Sequence, residues 1–249
     1  MKQTRSLMGM HITIDIAGNG ANSKHIDEVY EYFRYVDNKF STYKEASEIS
    51  RINRRLIRKS DYSPDMKLIL SLCERTQRET DGYFDIKHNG KLDPSGLVKG
   101  WSIWQAANLL KRRGVENFYV DAGGDIQVAG RNAEEKPWRV GIRNPFDDKE
   151  VVKVLSLSGE GIATSGTACR GQHIYNPHRP NEAIADIVSL SVIGANVYEA
   201  DRFATAAFAM GSDGIYFIES LPGFEGYMID SRGIATCTSG FAKYVAPTQ

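Results

Sequence analysis

The sequence FYVDAGGDIQV, residues 118–128, gives the strongest indication of the architecture. Two apolar runs flank Gly123-Gly124, and a glycine pair between β-forming runs predicts a strand, a tight turn and a second strand. Such a hairpin joins antiparallel strands, whereas parallel strands need long crossover connections. The sequence therefore predicts a mixed α+β fold with largely antiparallel sheets and flanking helices.

Periodicity on both sides of this hairpin supplies the other elements. Apolar residues at helical spacing predict helices over 26–40, with Asn22 or Ser23 as the cap, and from Ser63-Pro64 to near residue 81. Further helices are predicted over 97–110, 196–210 and 214–219. Residues 82–96 are rich in turn-forming types and predict an irregular loop. Further strands are predicted over 10–16, 138–142, 151–157, 187–193, 226–230, 234–237 and 241–245.

Composition restricts the class of protein. The chain has 249 residues with 31 Lys+Arg and 31 Asp+Glu, so its formal net charge is zero. A neutral chain argues against nucleic-acid binding, and no apolar run is long enough for a membrane span. The 3 cysteines are widely spaced and no secretory leader is visible, which favours the cytoplasm, although a removed export or lipoprotein leader stays open. We expect a single domain over residues 1–249.

Several common catalytic signatures are absent from the sequence. It contains no Gly-x-Gly-x-x-Gly at a strand-to-helix turn and no Gly-x-x-x-x-Gly-Lys-[Ser/Thr], which argues against a Rossmann dinucleotide site and a P-loop. Neither Gly-x-Ser-x-Gly nor His-Glu-x-x-His occurs. Any nucleotide chemistry must therefore use a different arrangement of residues.

Asp201 and Thr205 are the first candidates for such chemistry. They lie four residues apart on the predicted alanine-rich helix, so they share one face of it. Carboxylate and hydroxyl oxygens are hard ligands that suit Mg²⁺ better than zinc. The alternative is that Asp201 complements the positive end of the helix and Thr205 packs beside it. Spacing alone leaves both interpretations open.

The segment LDPSGLVKG, residues 92–100, runs from a turn into a helix. Backbone N–H groups at a helix start favour anions, and Lys99 adds a positive charge. The Asp93 carboxylate is suited to accept a hydrogen bond from a ribose, an amide or a ring N–H. A backbone carbonyl of this loop is also suited to complete an octahedral magnesium site. The alternative is an ordinary helix start, with Asp93 or Ser95 as the cap and Lys99 in solvent.

Three side chains in polar loops complete the candidates. His173 is suited to donate or accept a proton, or to bind phosphate, although a structural or exposed histidine is the simpler alternative. Tyr43 and Phe84 are suited either to stack on a flat heterocycle or to cover the edge of the core.

Between Met8 and about Gly211 the chain carries, in one order, MGM, STY, GYFD, LDPSGLVKG, DAGGDI, ATSG, HIYNP and DRFAT. Together these motifs resemble the FAD:protein FMN transferases, also called ApbE-like flavin transferases. The resemblance implies an ApbE-like architecture and an Mg²⁺-dependent enzyme with FAD as its substrate. Such an enzyme transfers the FMN moiety to a threonine hydroxyl of a target protein and releases AMP. Some relatives instead hydrolyse FAD to FMN and AMP.

The resemblance also implies roles for individual residues. It places two catalytic side chains, His173 near the phosphates and Asp201 at the metal. The metal ligands it implies are the side chains of Asp201 and Thr205 and the carbonyl oxygen of Gly96. The residues it implies for FAD binding are Met8, Tyr43, Tyr83, Phe84, Asp85, Asp93, Lys99, His173 and Ile174.

Two other functions use the same residues. A metal-dependent FAD pyrophosphatase would release AMP and free FMN without an acceptor protein. A flavin-binding protein without catalysis would hold FAD tightly, unaffected by a chelator. The metal ligands argue against the second of these, because binding alone does not need both Asp201 and Thr205.

Overall fold

Twelve strands and six helices make up the regular structure of the described chain. The computed structural model describes residues 1–18, 21–88, 90–167 and 174–247. The strands are β1 (Lys2–Leu7), β2 (Met10–Ile16), β3 (Lys87–His88), β4 (Lys91–Leu92), β5 (Phe118–Ala122), β6 (Asp125–Ala129), β7 (Trp138–Asn144), β8 (Asp147–Leu157), β9 (Gly161–Gly166), β10 (Ile187–Gly194), β11 (Glu225–Asp230) and β12 (Ala235–Cys237). The helices are α1 (Ser23–Phe40), α2 (Glu48–Asn53), α3 (Pro64–Glu79), α4 (Ser95–Arg112), α5 (Val197–Ala209) and α6 (Gly214–Ser220).

Antiparallel pairing organises the main sheet, as the sequence predicts. Eight strands lie in the order β1-β2-β5-β6-β9-β10-β11-β12, and neighbours along this order pair antiparallel. The predicted hairpin joins β5 to β6 through Gly123 (φ +65°) and Gly124 (φ +95°), backbone angles that glycine adopts without strain. Gly124 N donates to Asp121 Oδ1 at 2.8 Å, which closes the turn and sets where β6 begins.

Each face of the main sheet is covered by different elements. On one face, alternating residues of β2 and β5 pack against α1 and α4, and residues of β10 pack against α5 and α6. On the other face, the separate β7–β8 hairpin covers β6, β9 and β11. A further apolar cluster joins α1, α2, α3 and α4 beyond the sheet. Helices α4 and α5, which carry the candidate residues Gly96, Lys99, Asp201 and Thr205, are therefore held between the sheet and other helices.

Helix starts follow the predicted capping chemistry. Asn22 Oδ1 accepts from Lys24 N at 2.9 Å at the start of α1, Ser63 Oγ accepts from Met66 N at 3.2 Å at α3, and Asn196 Oδ1 accepts from Glu199 N at 3.0 Å at α5. These side chains satisfy N–H groups that have no partner within the helix. Within the described residues, none of these helices is both long enough and apolar enough to cross a bilayer.

Some sequence-based predictions of local structure were wrong. The strand expected over 241–245 is a short 3-10 turn, Phe241–Tyr244, because Phe241 alone is buried there, against the ring of Tyr227. The region expected as an irregular loop over 82–96 contains the β3–β4 hairpin, and α4 already begins at Ser95. Strands β1 and β9 and helix α2 were not predicted.

Candidate metal and nucleotide site

The site lies where α4 and α5 are in close contact. A Cβ atom at Gly100 would lie 2.5 Å from Asp201 Cβ and 2.7 Å from the carbonyl oxygen of Val197, so only glycine fits at this crossing. The same approach brings the backbone N–H of Gly100 within 2.7 Å of Asp201 Oδ2, to which it donates. Asp201 is thereby held on the α4 side of its helix, with only 2% of its surface exposed.

Lys99 joins two buried carboxylates at this crossing. Its Nζ lies 2.6 Å from Asp125 Oδ2 and 3.6 Å from Asp201 Oδ1. Asp125 is the first residue of β6 and is 1% exposed, and its Oδ1 accepts from the backbone N–H of Thr164 at 3.1 Å. Ionisation of both carboxylates would give the cluster two negative charges and one positive charge, so a second cation would be needed to balance it.

The pKa of Asp201 shows that its ionised form is costly without a second cation. Burial raises the pKa of its carboxyl well above the ordinary value, while the ammonium of Lys99 opposes this shift. The neighbouring Asp125 carboxyl raises that pKa further, and the N–H of Gly100 lowers it. A divalent cation beside Asp201 would relieve this cost, because it favours the ionised carboxylate.

Gly96, Asp201 and Thr205 fit the chemistry of a magnesium site. Thr205 Oγ1 lies 3.3 Å from the carbonyl oxygen of Gly96. Adjacent ligands on an octahedral Mg²⁺, each at about 2.0–2.1 Å, lie about 2.9 Å apart, so this oxygen pair needs only a small shift. Asp201 adds a carboxylate one helical turn before Thr205. Within the described ranges no cluster of three or more His, Cys, Asp or Glu side chains forms a metal site, so water and phosphate would fill the other positions.

The predicted flavin contacts separate into a packed group and an exposed one. Met8, Tyr83 and Phe84 belong to one apolar cluster with the first turn of α4. Met8 lies in the β1–β2 turn with φ +55° and lines a cleft of about 520 Å³. Phe84 is only 2% exposed, so its side chain covers the core rather than standing free for stacking. Tyr43, between α1 and α2, is 96% exposed and available for stacking.

The two predicted acidic contacts already have local partners. Asp93 Oδ1 accepts from Ser95 N at 3.0 Å, so the side chain supports the start of α4 although Pro94 occupies the cap position. Asp85 Oδ1 accepts from Lys87 N at 2.9 Å at the start of the β3–β4 hairpin. Both carboxylates are at least partly exposed and keep a second oxygen for a ligand.

His173 lies outside the described residues, but the segment that follows it packs against the predicted flavin-contacting stretch. Tyr175 Oη donates to the carbonyl oxygen of Lys87 at 2.8 Å, and the rings of Tyr83 and His178 lie 4.5 Å apart. Ile174 packs against the apolar cluster that includes α5. The fold therefore brings residues 175–178 against residues 83–87, although the two segments are far apart in the sequence.

A larger cleft, of about 610 Å³, lies near α1 and α2 and contains none of the predicted site residues. Its lining mixes apolar side chains with charges that are already paired, such as Lys39 with Glu48 and Arg58 with Asp61. It offers no group of hard ligands comparable to the α4–α5 crossing.

Sequence reasoning misses two parts of the site. The sequence pattern places Asp125 at a tight turn, and only the three-dimensional pairing with Lys99 shows that it belongs to the same cluster as Asp201. Gly100 is the last residue of the LDPSGLVKG motif, and the sequence analysis gives it no role. A glycine on a buried helix face often indicates a close helix contact. The signal for Asp125 is an acidic residue directly after a glycine turn at the buried end of a strand.

Comparison with known proteins identifies the family of this chain. The ApbE family model matches residues 8–89 and 86–228, and the chain belongs to the ApbE family. Two relatives named FAD:protein FMN transferase are 28% identical over 165 residues, from Klebsiella pneumoniae (strain 342), and 31% identical over 164 residues, from Vibrio cholerae serotype O1. The matches cover 63% and 62% of this chain but 46% and 48% of those relatives, so the chain spans about half of their length.

The solved structures support the fold over its whole extent. The flavin transferase ApbE from Vibrio cholerae superposes with a TM-score of 0.84 at 23% sequence identity, covering 98% of both chains. At this identity the similarity establishes the mixed, largely antiparallel ApbE-like architecture that the sequence predicts.

Proposed function

We propose that this chain transfers the FMN moiety of FAD to a threonine hydroxyl of a target protein, that AMP is released, and that Mg²⁺ is required. The observation that carries the proposal is the buried Asp201, one turn from Thr205 and beside Lys99, with the carbonyl oxygen of Gly96 facing Thr205. Family membership and the names of the relatives support the choice of FAD as the substrate. The proposal includes a cytoplasmic location, which the wide spacing of the 3 cysteines supports.

In this mechanism Gly96, Asp201 and Thr205 would hold Mg²⁺, which would supply positive charge to balance the charge of the pyrophosphate. Lys99 adds a second positive charge, and the N-terminal end of α4 adds a partial one. The threonine oxygen forms a bond to the FMN phosphorus while the bridging oxygen leaves with AMP.

The remaining roles concern proton transfer and flavin binding. We assign His173 to accept the proton of the incoming threonine, or to orient the phosphate while solvent takes the proton. The FAD contacts in this proposal are Met8, Tyr43, Tyr83, Asp85, Asp93, Lys99 and Ile174. Phe84 is buried and packs in the same apolar cluster as Met8 and Tyr83, so we assign it a supporting role. The hydrogen bond from Tyr175 to the carbonyl oxygen of Lys87 supports the inclusion of Ile174 and His173 in this proposal.

The direct test is an acceptor assay. The protein is mixed with FAD, Mg²⁺ and a substrate protein that carries a flavinylation-site threonine, and covalent flavin is detected by fluorescence after denaturing electrophoresis. The wild-type chain should label the acceptor, and EDTA should prevent labelling. Asp201→Ala should lower the rate at least about a hundredfold, because the metal ligand is lost.

Asp148→Ala is the matched control, because Asp148 is an exposed carboxylate on β8. It should label at the wild-type rate, and circular dichroism should show that both variants fold. Normal labelling by Asp201→Ala would contradict the metal assignment. AMP and free FMN released without an acceptor would instead indicate the pyrophosphatase, and chelator-insensitive FAD binding without turnover would indicate a carrier.

A further inference from the structure

The unequal position of Lys99 between its two carboxylates has a chemical consequence. Its ammonium forms ion pairs with both carboxylates, but it lies 2.6 Å from Asp125 Oδ2, within hydrogen-bonding distance, and 3.6 Å from Asp201 Oδ1. An ammonium and a divalent cation compete for the same carboxylate oxygen. The shift of Lys99 toward Asp125 therefore leaves Asp201 Oδ1 more accessible to a metal ion.

Asp125 is anchored so that it can keep Lys99 in this position. Its backbone follows the rigid Gly123-Gly124 turn, and its Oδ1 accepts from Thr164 N at 3.1 Å on the neighbouring strand. Thr164 Oγ1 in turn lies 2.7 Å from Ser191 Oγ on β10. Because the side chain is 1% exposed and one of its oxygens is engaged, the other is directed steadily at the ammonium.

We propose that Asp125 is a positioning residue that holds the Lys99 ammonium away from Asp201 and so keeps Asp201 available to the divalent cation. This inference rests on the metal site of the proposed function. Asp125 acts through Lys99 and makes no bond to the metal. Without the Asp125 charge, the ammonium moves onto Asp201 and competes with the metal for it.

Asp125→Asn tests this directly, because asparagine keeps the shape and can keep the oxygen that accepts from Thr164 N. The measurement is Mn²⁺ binding without FAD, followed by the electron paramagnetic resonance signal of the free ion. We expect Asp125→Asn to weaken Mn²⁺ binding about 10- to 100-fold, the range found for residues that orient metal ligands indirectly. Thermal unfolding checks that the variant is folded.

A double-mutant cycle with Lys99→Met separates positioning from simple charge. If Asp125 acts through Lys99, Asp125→Asn should change the Mn²⁺ affinity less than about threefold when Lys99 is already methionine. A loss of the same size in both backgrounds would overturn the proposal and indicate that Asp125 attracts or binds the metal directly.

A second measurement covers the case in which Lys99→Met alone does not fold. In a crystal structure of metal-free Asp125→Asn, the distance from Lys99 Nζ to Asp201 Oδ1 should shorten from 3.6 Å to about 2.8 Å, the length of a charge-assisted hydrogen bond. An unchanged distance would overturn the proposal. Wild-type protein and Asp201→Ala serve as references for Mn²⁺ binding. Equal Mn²⁺ binding by these two proteins would contradict the proposed metal site itself. Equal Mn²⁺ binding by wild type and Asp125→Asn would contradict only the positioning role of Asp125.

Discussion

Gly100 has no side chain, and the space that a methyl group would need is filled by Asp201 and Val197. This one residue determines how closely α4 and α5 approach, and it donates the backbone hydrogen bond that orients Asp201. The geometry of the candidate site therefore depends on having glycine at position 100 as much as on the groups that would bind the ligand.

Gly100→Ala should destabilise the protein although alanine favours a helix. The gain in helix propensity is at most about 1 kcal/mol, whereas overpacking a rigid core contact costs about 1–3 kcal/mol or more. Here the clash involves the Val197 backbone, which cannot rotate away. We expect a net loss of about 1–2 kcal/mol, measured by urea unfolding, together with weaker Mn²⁺ binding.

Gly159→Ala is the matched control, because no atom lies within 4 Å of the place that a Cβ would take there and its φ is not positive. Its stability should stay within about 0.5 kcal/mol of wild type. If Gly100→Ala were as stable as Gly159→Ala and bound Mn²⁺ normally, the close crossing would not be what positions Asp201.

Single residues also show how far the sequence could predict the site. Asp201 and Thr205 were predictable because their spacing depends only on helix geometry. The place of Asp125 beside Lys99 was not, because 26 residues separate them in the sequence and their contact depends on how β6 packs under α4. Local patterns carry no information on which distant carboxylate an ammonium will reach.

Among the elements, α5 is tied to α3 by a buried arginine. Arg202 is 5% exposed at its side chain and forms ion pairs with Glu79 on α3 and Glu199 on its own helix. Its Nη1 also donates to Thr76 Oγ1 at 3.3 Å. Because Asp201 precedes it in the chain, this tie fixes the rotation of α5 that turns Asp201 toward α4.

Removing one partner of a fully buried ion pair costs about 3–5 kcal/mol. Because the two glutamates here are partly exposed, solvent reduces this cost, and we expect Arg202→Met to lower the free energy of unfolding by about 2 kcal/mol. For a chain of this size that loss corresponds to a fall in Tm of about 4–8 °C. Differential scanning calorimetry measures it.

Arg232→Met provides the comparison, because Arg232 also pairs with a carboxylate, Asp230, but is 77% exposed. It should change the stability by less than about 1 kcal/mol. Equal effects of the two substitutions would show that Arg202 is not a tie between helices.

The strands that were not predicted lack the sequence pattern of a half-buried strand. Strand β1, KQTRSL, lies at the edge of the sheet and lacks the apolar alternation of a half-buried strand. Strand β9, GIATSG, has the composition of a turn, yet it lies between β6 and β10. Its Gly161 is needed because a Cβ there would lie 2.0 Å from Val197 N. The neighbouring helix requires small residues on this strand, and a single sequence does not display that requirement.

For the molecule as a whole, we expect substrate and metal to stabilise the fold together. A ligand that binds only the folded state at 100 times its Kd adds about 2.7 kcal/mol, which corresponds to a rise in Tm of about 5–10 °C for this size of chain. FAD with Mg²⁺ should raise Tm in a thermal-shift assay, and FAD with EDTA should raise it much less. The Asp201→Ala chain should show no such difference, and a difference as large as that of wild type would place the metal elsewhere.

The position of the metal itself can be measured in a crystal structure with FAD and Mn²⁺, using the anomalous scattering of manganese to locate the ion. We expect an anomalous peak at coordination distance from the carboxylate of Asp201, Thr205 Oγ1 and the carbonyl oxygen of Gly96, with the pyrophosphate of FAD against the same ion. An ion or a pyrophosphate located away from the crossing of α4 and α5 would show that this crossing is not the site of flavin transfer.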